Sequence, residues 1–365
     1  MSDFIPGLEL SKLFYLEAVK PILDADFSAL RYSAALTGSG SEILGFDDEM
    51  SSDHHWGARL MLFLDEDDFA RYRDSIHEDL QRKLPYEIRG HSTNFFLYNE
   101  EDNSLIPTEI ESGLVNHRVE IFTIRNFFLD YLSFDITQRI EPADWLTFPE
   151  QKLRTLASGG VYYDEIGLRE TLQRFAFYPR DVWLYLLACG WNRIGQEEHL
   201  MGRAGFAGDE IGSAIIAARL VRDLMRLCFL MEKRFAPYPK WFGKAFSQLD
   251  CAEDLSPAFK KALSAEIWQE REKHLVKAYE YAAEMHNNLK ITEPLTAKAG
   301  DFFGRPFRVI HLHGKFADEI CKQITDPTVK RIAERKLIGG IDQISDNTDI
   351  LSDPQWRMIL RKLYE

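Results

Sequence analysis

Apolar positions along the chain change their spacing several times, and the elements follow from those changes. Over residues 8–23, Leu10, Phe14, Leu16 and Val19 recur at roughly helical spacing, and Pro21 marks a kink or an end. Residues 34–36 read as a short strand, and residues 58–64 hold the unbroken run Leu60-Met61-Leu62-Phe63-Leu64 of a buried one. Asp65 is the expected cap of a helix over residues 66–84 with one wet face. Residues 85–98 are predicted extended. Residues 118–124, RVEIFTI, send Val119 and Ile121 one way and Arg118, Glu120 and Phe122 the other. A charged pair in so apolar a strand faces a polar site, or solvent if the strand lies at an edge. A helix is predicted over residues 126–132.

After about Glu141 helical spacing dominates. Residues 142–149 form a linker or turn region, and helices are predicted over 181–201 and 210–235, the second capped by Asp209. Pro237 and Pro239 break that helix. Ser256 and Pro257 are the expected N-cap and first turn of a long helix reaching Leu289. Residues 307–312 read as a short strand, with helices from Phe316 onward. The predicted fold is α+β: a mixed sheet with helices over residues 1–140, then a mainly helical domain over 141–365.

Composition narrows the function classes. The chain has 365 residues, 45% hydrophobic and 13% aromatic, which is ample for packed cores. Its formal net charge of -14 opposes general binding to a nucleic-acid backbone, so a long nucleic acid is not the expected partner. Cys189, Cys228, Cys251 and Cys321 are scattered without a CxxC pair, which argues against a disulfide framework or zinc site. With no apolar stretch near the roughly 20 residues that span a bilayer, and no leader-like start, a soluble cytoplasmic protein without membrane association is expected.

The stretch 38–57, GSGSEILGFDDEMSSDHHWG, carries the candidate chemistry. Small residues at Gly38, Ser39 and Gly40 let backbone N–H groups approach phosphate oxygens. Asp53 and His55, two apart at a strand start, face one side, and Glu120 is positioned to join them from a later strand. Carboxylates suit Mg²⁺ or Mn²⁺, which bridges triphosphate oxygens in an in-line displacement. The plainer reading is a solvated acidic turn. A second set, Arg219, Arg222 and Arg226, lies along one helix face, where a solvated face paired with Asp223 is the better reading. His311 and His313 alternate on the predicted strand and are read as structural, His54 as shaping its loop, and Trp183, Tyr185 and Trp191 as core.

The 38–57 stretch resembles the DNA-polymerase-beta-like nucleotidyltransferases: a Gly-Ser loop, a gap of about a dozen residues, two acids one residue apart, and a third acid on a later strand. With GRAGFAGDEIGSAIIAARLVRDLMRL from Gly202 and APYPKWFGKAF from Ala236, the chain is similar to a bacterial family of domains of unknown function with that fold. The helical part resembles that of kanamycin nucleotidyltransferases. The resemblance implies that Gly38 and Ser39 touch the triphosphate, Asp53 and Glu120 are catalytic metal ligands, and Arg203 and Lys240 contact the nucleotide. It implies transfer of a nucleoside monophosphate from a nucleoside triphosphate to a small-molecule or protein acceptor, with Mg²⁺ or Mn²⁺. One departure matters: the second acid is His55, which binds Mn²⁺ but suits Mg²⁺ poorly. Asp47, Asp48 or Glu49 are the candidates to supply the missing oxygen. An inactive nucleotide-binding or interaction module is the alternative.

Overall fold

The computed structural model describes residues 4–52, 56–99 and 104–365. They form an α+β chain that divides into two compact units. One unit takes the described residues up to Arg139 together with Lys152–Ala176, and the other takes Ile140–Gln151 and Phe177–Glu365. Residues 152–176, which the apolar spacing assigned to the helical part, thus pack with the sheet.

The first unit opens with α1 (Gly7–Phe14), a π turn at Tyr15–Val19 and α2 (Lys20–Asp26), so Pro21 falls at the start of the resumed helix. The backbone stays helical through the π turn, with Val19 at φ -77° and ψ -48°. The missing proline N–H falls where Lys20 N–H, bonding to the Tyr15 carbonyl, already interrupts the α-helical ladder. Then come β1 (Tyr32–Leu36), β2 (Arg59–Leu64), α3 (Glu66–Lys83), two small hairpins β3 (Glu87–Ile88), β4 (His91–Ser92), β5 (Phe95–Asn99) and β6 (Ser104–Pro107), β7 (Arg118–Thr123) and α4 (Ile124–Leu132). Thr123 caps α4, its hydroxyl oxygen accepting from Asn126 N–H at 3.1 Å. Beyond α5 (Pro142–Trp145), which belongs to the second unit, comes α6 (Glu150–Ser158), from whose Lys152 the first unit resumes. A strand the apolar spacing did not predict, β8 (Gly160–Asp164), precedes α7 (Leu168–Gln173).

The sheet order is β7-β2-β1-β8, with β2 and β7 parallel and β1 antiparallel to both its neighbours. Central β2 is buried at every position, as its continuous apolar run requires. One face carries Leu60, Leu62, Leu64, Val119 and Ala34 against Leu10 and Phe14 of α1 and Ile76 and Leu80 of α3. The other face carries Arg59, Met61 and Phe63 beside their register partners Arg118, Glu120 and Phe122. There Phe63 and Phe122 meet Phe127 of α4 with centroids 5.4 and 5.8 Å apart.

The second unit is built on α8 (Arg180–Phe206) and α9 (Glu210–Met231). Asp209 caps α9 by accepting from Gly212 N–H at 2.8 Å, and Trp183 Nε1 donates to the Leu230 carbonyl at 2.7 Å. Trp183, Tyr185 and Trp191 are buried core residues, as expected. After α10 (Pro239–Phe246), the long helix predicted from Ser256 is two helices, α11 (Ala252–Ser264) and α12 (Trp268–Asn288), with Pro257 inside the first. The break between them is fixed from outside. Glu210 accepts from Trp268 N–H at 3.1 Å and from buried Arg271 at 2.9 Å, which starts α12 afresh.

The hairpin of β9 (Gly300–Phe302) and β10 (Arg305–Val309) is followed by a short helix, α13 (His311–Gly314), where the sequence pattern predicted a strand through residue 312. The reason is buried Glu198 on α8, whose carboxylate accepts from Ile310 N–H at 2.7 Å and His311 N–H at 3.2 Å. A carboxylate at free N–H groups favours a helix start. His311 and His313 therefore do not alternate on a strand. His313 Nε2 lies 3.1 Å from the Asp301 carbonyl, and burial pushes the His311 imidazole below its usual pKa.

Candidate functional site

The turn after β1 sits over the charged face of the sheet. Gly38 has φ +82° and Gly40 φ +148°, backbone conformations that side chains disfavour. A Cβ on Gly38 would lie 3.8 Å from Met61 Cε and 3.7 Å from the Tyr131 ring, so the turn rests on Met61 and α4. Met61 is also the register partner of Glu120. The glycine turn and Glu120 therefore flank one side chain on one face.

Two buried charges hold that turn. Arg59 is 5% exposed and donates from Nη2 to the Ser39 carbonyl at 2.9 Å. Its Nη1 lies 3.1 Å from Oε1 of Glu42, which is 3% exposed. Burial pushes the Glu42 carboxyl above its usual pKa, while the Arg59 charge opposes the rise. Glu42 fills the space above Gly40, where a Cβ would overlap its carboxylate. Ser39 itself is exposed, and its side chain lies close enough to the Tyr131 hydroxyl to oppose the rise in that group's pKa. The Tyr131 hydroxyl also meets Thr155 Oγ1 at 2.6 Å, and burial lifts its pKa to about 12. Arg59, Glu42 and Tyr131 escaped the sequence reading. The available signal was Arg59, one charge opening an otherwise apolar strand.

Glu120 is exposed on edge strand β7 and makes no hydrogen bond or ion pair among the described residues. Asp53, His54 and His55 lie outside the described residues. Met61, opposite Glu120, comes eight positions after Asp53 and six after His55, and Gly57 bends the intervening chain with φ +131°. Asp47 is taken up by the fold: its Oδ2 accepts from Gly7 N–H at 2.6 Å and from Trp56 Nε1 at 3.1 Å. Among the described residues, no three His, Cys, Asp or Glu side chains are placed to hold a metal ion.

In the second unit Arg203 is exposed on the last turn of α8, and Lys240 is the second residue of α10, its ammonium 5.0 Å from the Trp241 ring centroid. The arginines of α9 are mostly paired. The expected partner Asp223 lies 3.9 Å from Arg222 Nε, and each of the two has a nearer partner elsewhere. Arg219 bonds Glu197 and Arg222 bonds Asp346 at 2.5 Å, while Asp223 accepts from Arg193 at 3.2 Å.

Residues 145–242 match a domain of unknown function, DUF4037. The DUF4037 match includes Arg203, Lys240 and the whole Gly202 stretch of the resemblance, and excludes the glycine turn and Glu120. No curated protein matches the chain. A solved nucleotidyltransferase-like protein from Exiguobacterium sibiricum 255-15 is similar over 75% of this chain and 77% of its own, at 9% identity and a TM-score of 0.33. No described helix is long and apolar enough to cross a membrane.

Proposed function

We propose that the chain is a metal-dependent nucleotidyltransferase, moving a nucleoside monophosphate from a nucleoside triphosphate to a small-molecule or protein acceptor. One observation carries this reading: the exposed Ser39 turn and the Glu120 carboxylate, unpaired among the described residues, share the sheet face around Met61. A free carboxylate is the donor a hard divalent cation takes, so Glu120 fits Mg²⁺ or Mn²⁺. Asp53 and His55 are its proposed co-ligands, and Arg203 and Lys240 its proposed nucleotide contacts, on the family resemblance. A bound divalent ion would supply charge neutralisation at the phosphates. Ser39 and the turn amides hold β- and γ-phosphate oxygens, and Glu120 accepts the proton of an acceptor hydroxyl. That oxygen bonds the α-phosphorus as the bond to the β-phosphate breaks and pyrophosphate leaves.

The test is incubation of the purified protein with labelled ATP, GTP, CTP and UTP plus Mn²⁺ and candidate acceptors. Label transfer that disappears in E120Q supports the proposal, and no nucleotide binding at millimolar concentration refutes it. His55 in place of the second acid favours a second reading, a nucleotide-binding module without turnover. Nucleotide binding without transfer in the wild type, with transfer appearing in H55D, identifies that case.

A further inference from the structure

Arg118 stands out on this face because no hydrogen-bonding or charged partner among the described residues engages it. Its guanidinium is largely buried, and its Nη1 is fully enclosed. It lies in register with Arg59, a second cation already engaged by Glu42 and the Ser39 carbonyl. Phe95 backs it, with the ring centroid 5.6 Å from the guanidinium carbon. A buried, unpartnered cation beside a second cation is costly unless an anion joins it.

We propose that Arg118 is a phosphate-binding residue, which takes an oxyanion of the triphosphate presented at the Ser39 turn. The proposal rests on the nucleotidyltransferase reading for the identity of its ligand. Arg59 is the positioning residue: it fixes the turn through the Ser39 carbonyl and contributes its positive field from behind. With Nη1 enclosed, Arg118 then offers the Nε–Nη2 edge of its planar guanidinium to two phosphate oxygens, a geometry that a lysine does not reproduce. Glu120, two residues along on the same face, sits where a divalent ion would offset its repulsion from the phosphate.

Isothermal titration of the full chain with ATP and with inorganic tripolyphosphate tests this, each with Mn²⁺ and with chelator. The expected result is a loss of about tenfold or more in affinity for both ligands in R118Q, as for a charge-assisted hydrogen bond. R118K keeps the charge and loses the fork, so its affinity falls several-fold; it carries the test if R118Q does not fold. Wild-type affinity for tripolyphosphate in a folded R118Q, or in R118K where R118Q is unfolded, overturns the proposal. So does the absence of binding by either ligand to the wild type. The enzymatic reading is judged separately by label transfer. Tripolyphosphate binding that depends on Arg118, without preference for ATP and without transfer, sinks that reading and leaves the phosphate site standing. Transfer that R118Q leaves untouched does the reverse.

Discussion

The Arg59–Glu42 pair offers a quantitative handle on the candidate site. At 3.1 Å with an effective dielectric of 20, the two charges attract by about 5 kcal/mol before desolvation is counted. Both residues are at most 5% exposed, so removing one leaves the other a buried charge without this counter-charge. Breaking such a pair costs about 3–5 kcal/mol, whereas replacing both charges by uncharged groups of similar volume is far milder. E42Q and R59M are each expected to destabilise the first unit by about 3 kcal/mol, and the double variant by clearly less than their sum. Hydrogen exchange read by mass spectrometry on peptides covering β1 and β2 measures this locally. A global melt would mix the transitions of two compact units. R59M should also deprotect the amides of the 38–40 turn, because Ser39 loses its carbonyl partner. Single variants that each cost under about 0.5 kcal/mol, or a coupling energy near zero, would refute the clamp.

Three further outcomes are expected. G40A forces a Cβ into the Glu42 carboxylate at φ +148°, and should cost about 1–3 kcal/mol in chemical denaturation while shifting the turn. E120Q, on an exposed edge position, should change stability by less than about 0.5 kcal/mol yet abolish Mn²⁺ binding by titration; unchanged Mn²⁺ affinity removes Glu120 from the site. Glu198 gives a pH signature, because burial raises its carboxyl from an ordinary 4.5 to about 7, against the backbone hydrogen bonds from Ile310 and His311. The stability linked to this raised pKa is complete below about pH 4.5 and is lost as pH rises through about 7, by up to about 3 kcal/mol. Wild type minus E198Q, measured by urea unfolding between pH 4 and 8, should fall accordingly, and a flat difference contradicts the assignment.

Local signals were legible where the governing interaction was itself local. The buried run of β2, the alternation of Val119 and Ile121 against Arg118 and Glu120, and the Asp209 cap can each be read from a few neighbouring residues. Features set by distant partners were not. The second start of a helix at Trp268 depends on Glu210, and the helical turn at His311 depends on Glu198. β8 is five residues long and follows a helix, so its Val161, Tyr162 and Tyr163 were absorbed into the helical texture around them. The site divided the same way. The glycine turn announced itself by composition, whereas the Arg59–Glu42 clamp and the isolation of Arg118 depend on which side chains meet across the sheet.

The late arrival of β8 has a consequence for how the first unit is made. Ser33 on β1 bonds Asp164 on β8 at 2.6 Å across a separation of 131 residues. At about 5–20 residues per second of synthesis, β1 and β2 emerge on the order of ten seconds before their last neighbour exists. During that interval the outer edge of β1 offers unpaired N–H and C=O groups, a template for pairing with another chain. β8 closes that edge, so protection of the nascent sheet against edge-to-edge association is timed by the translation of residues 160–164.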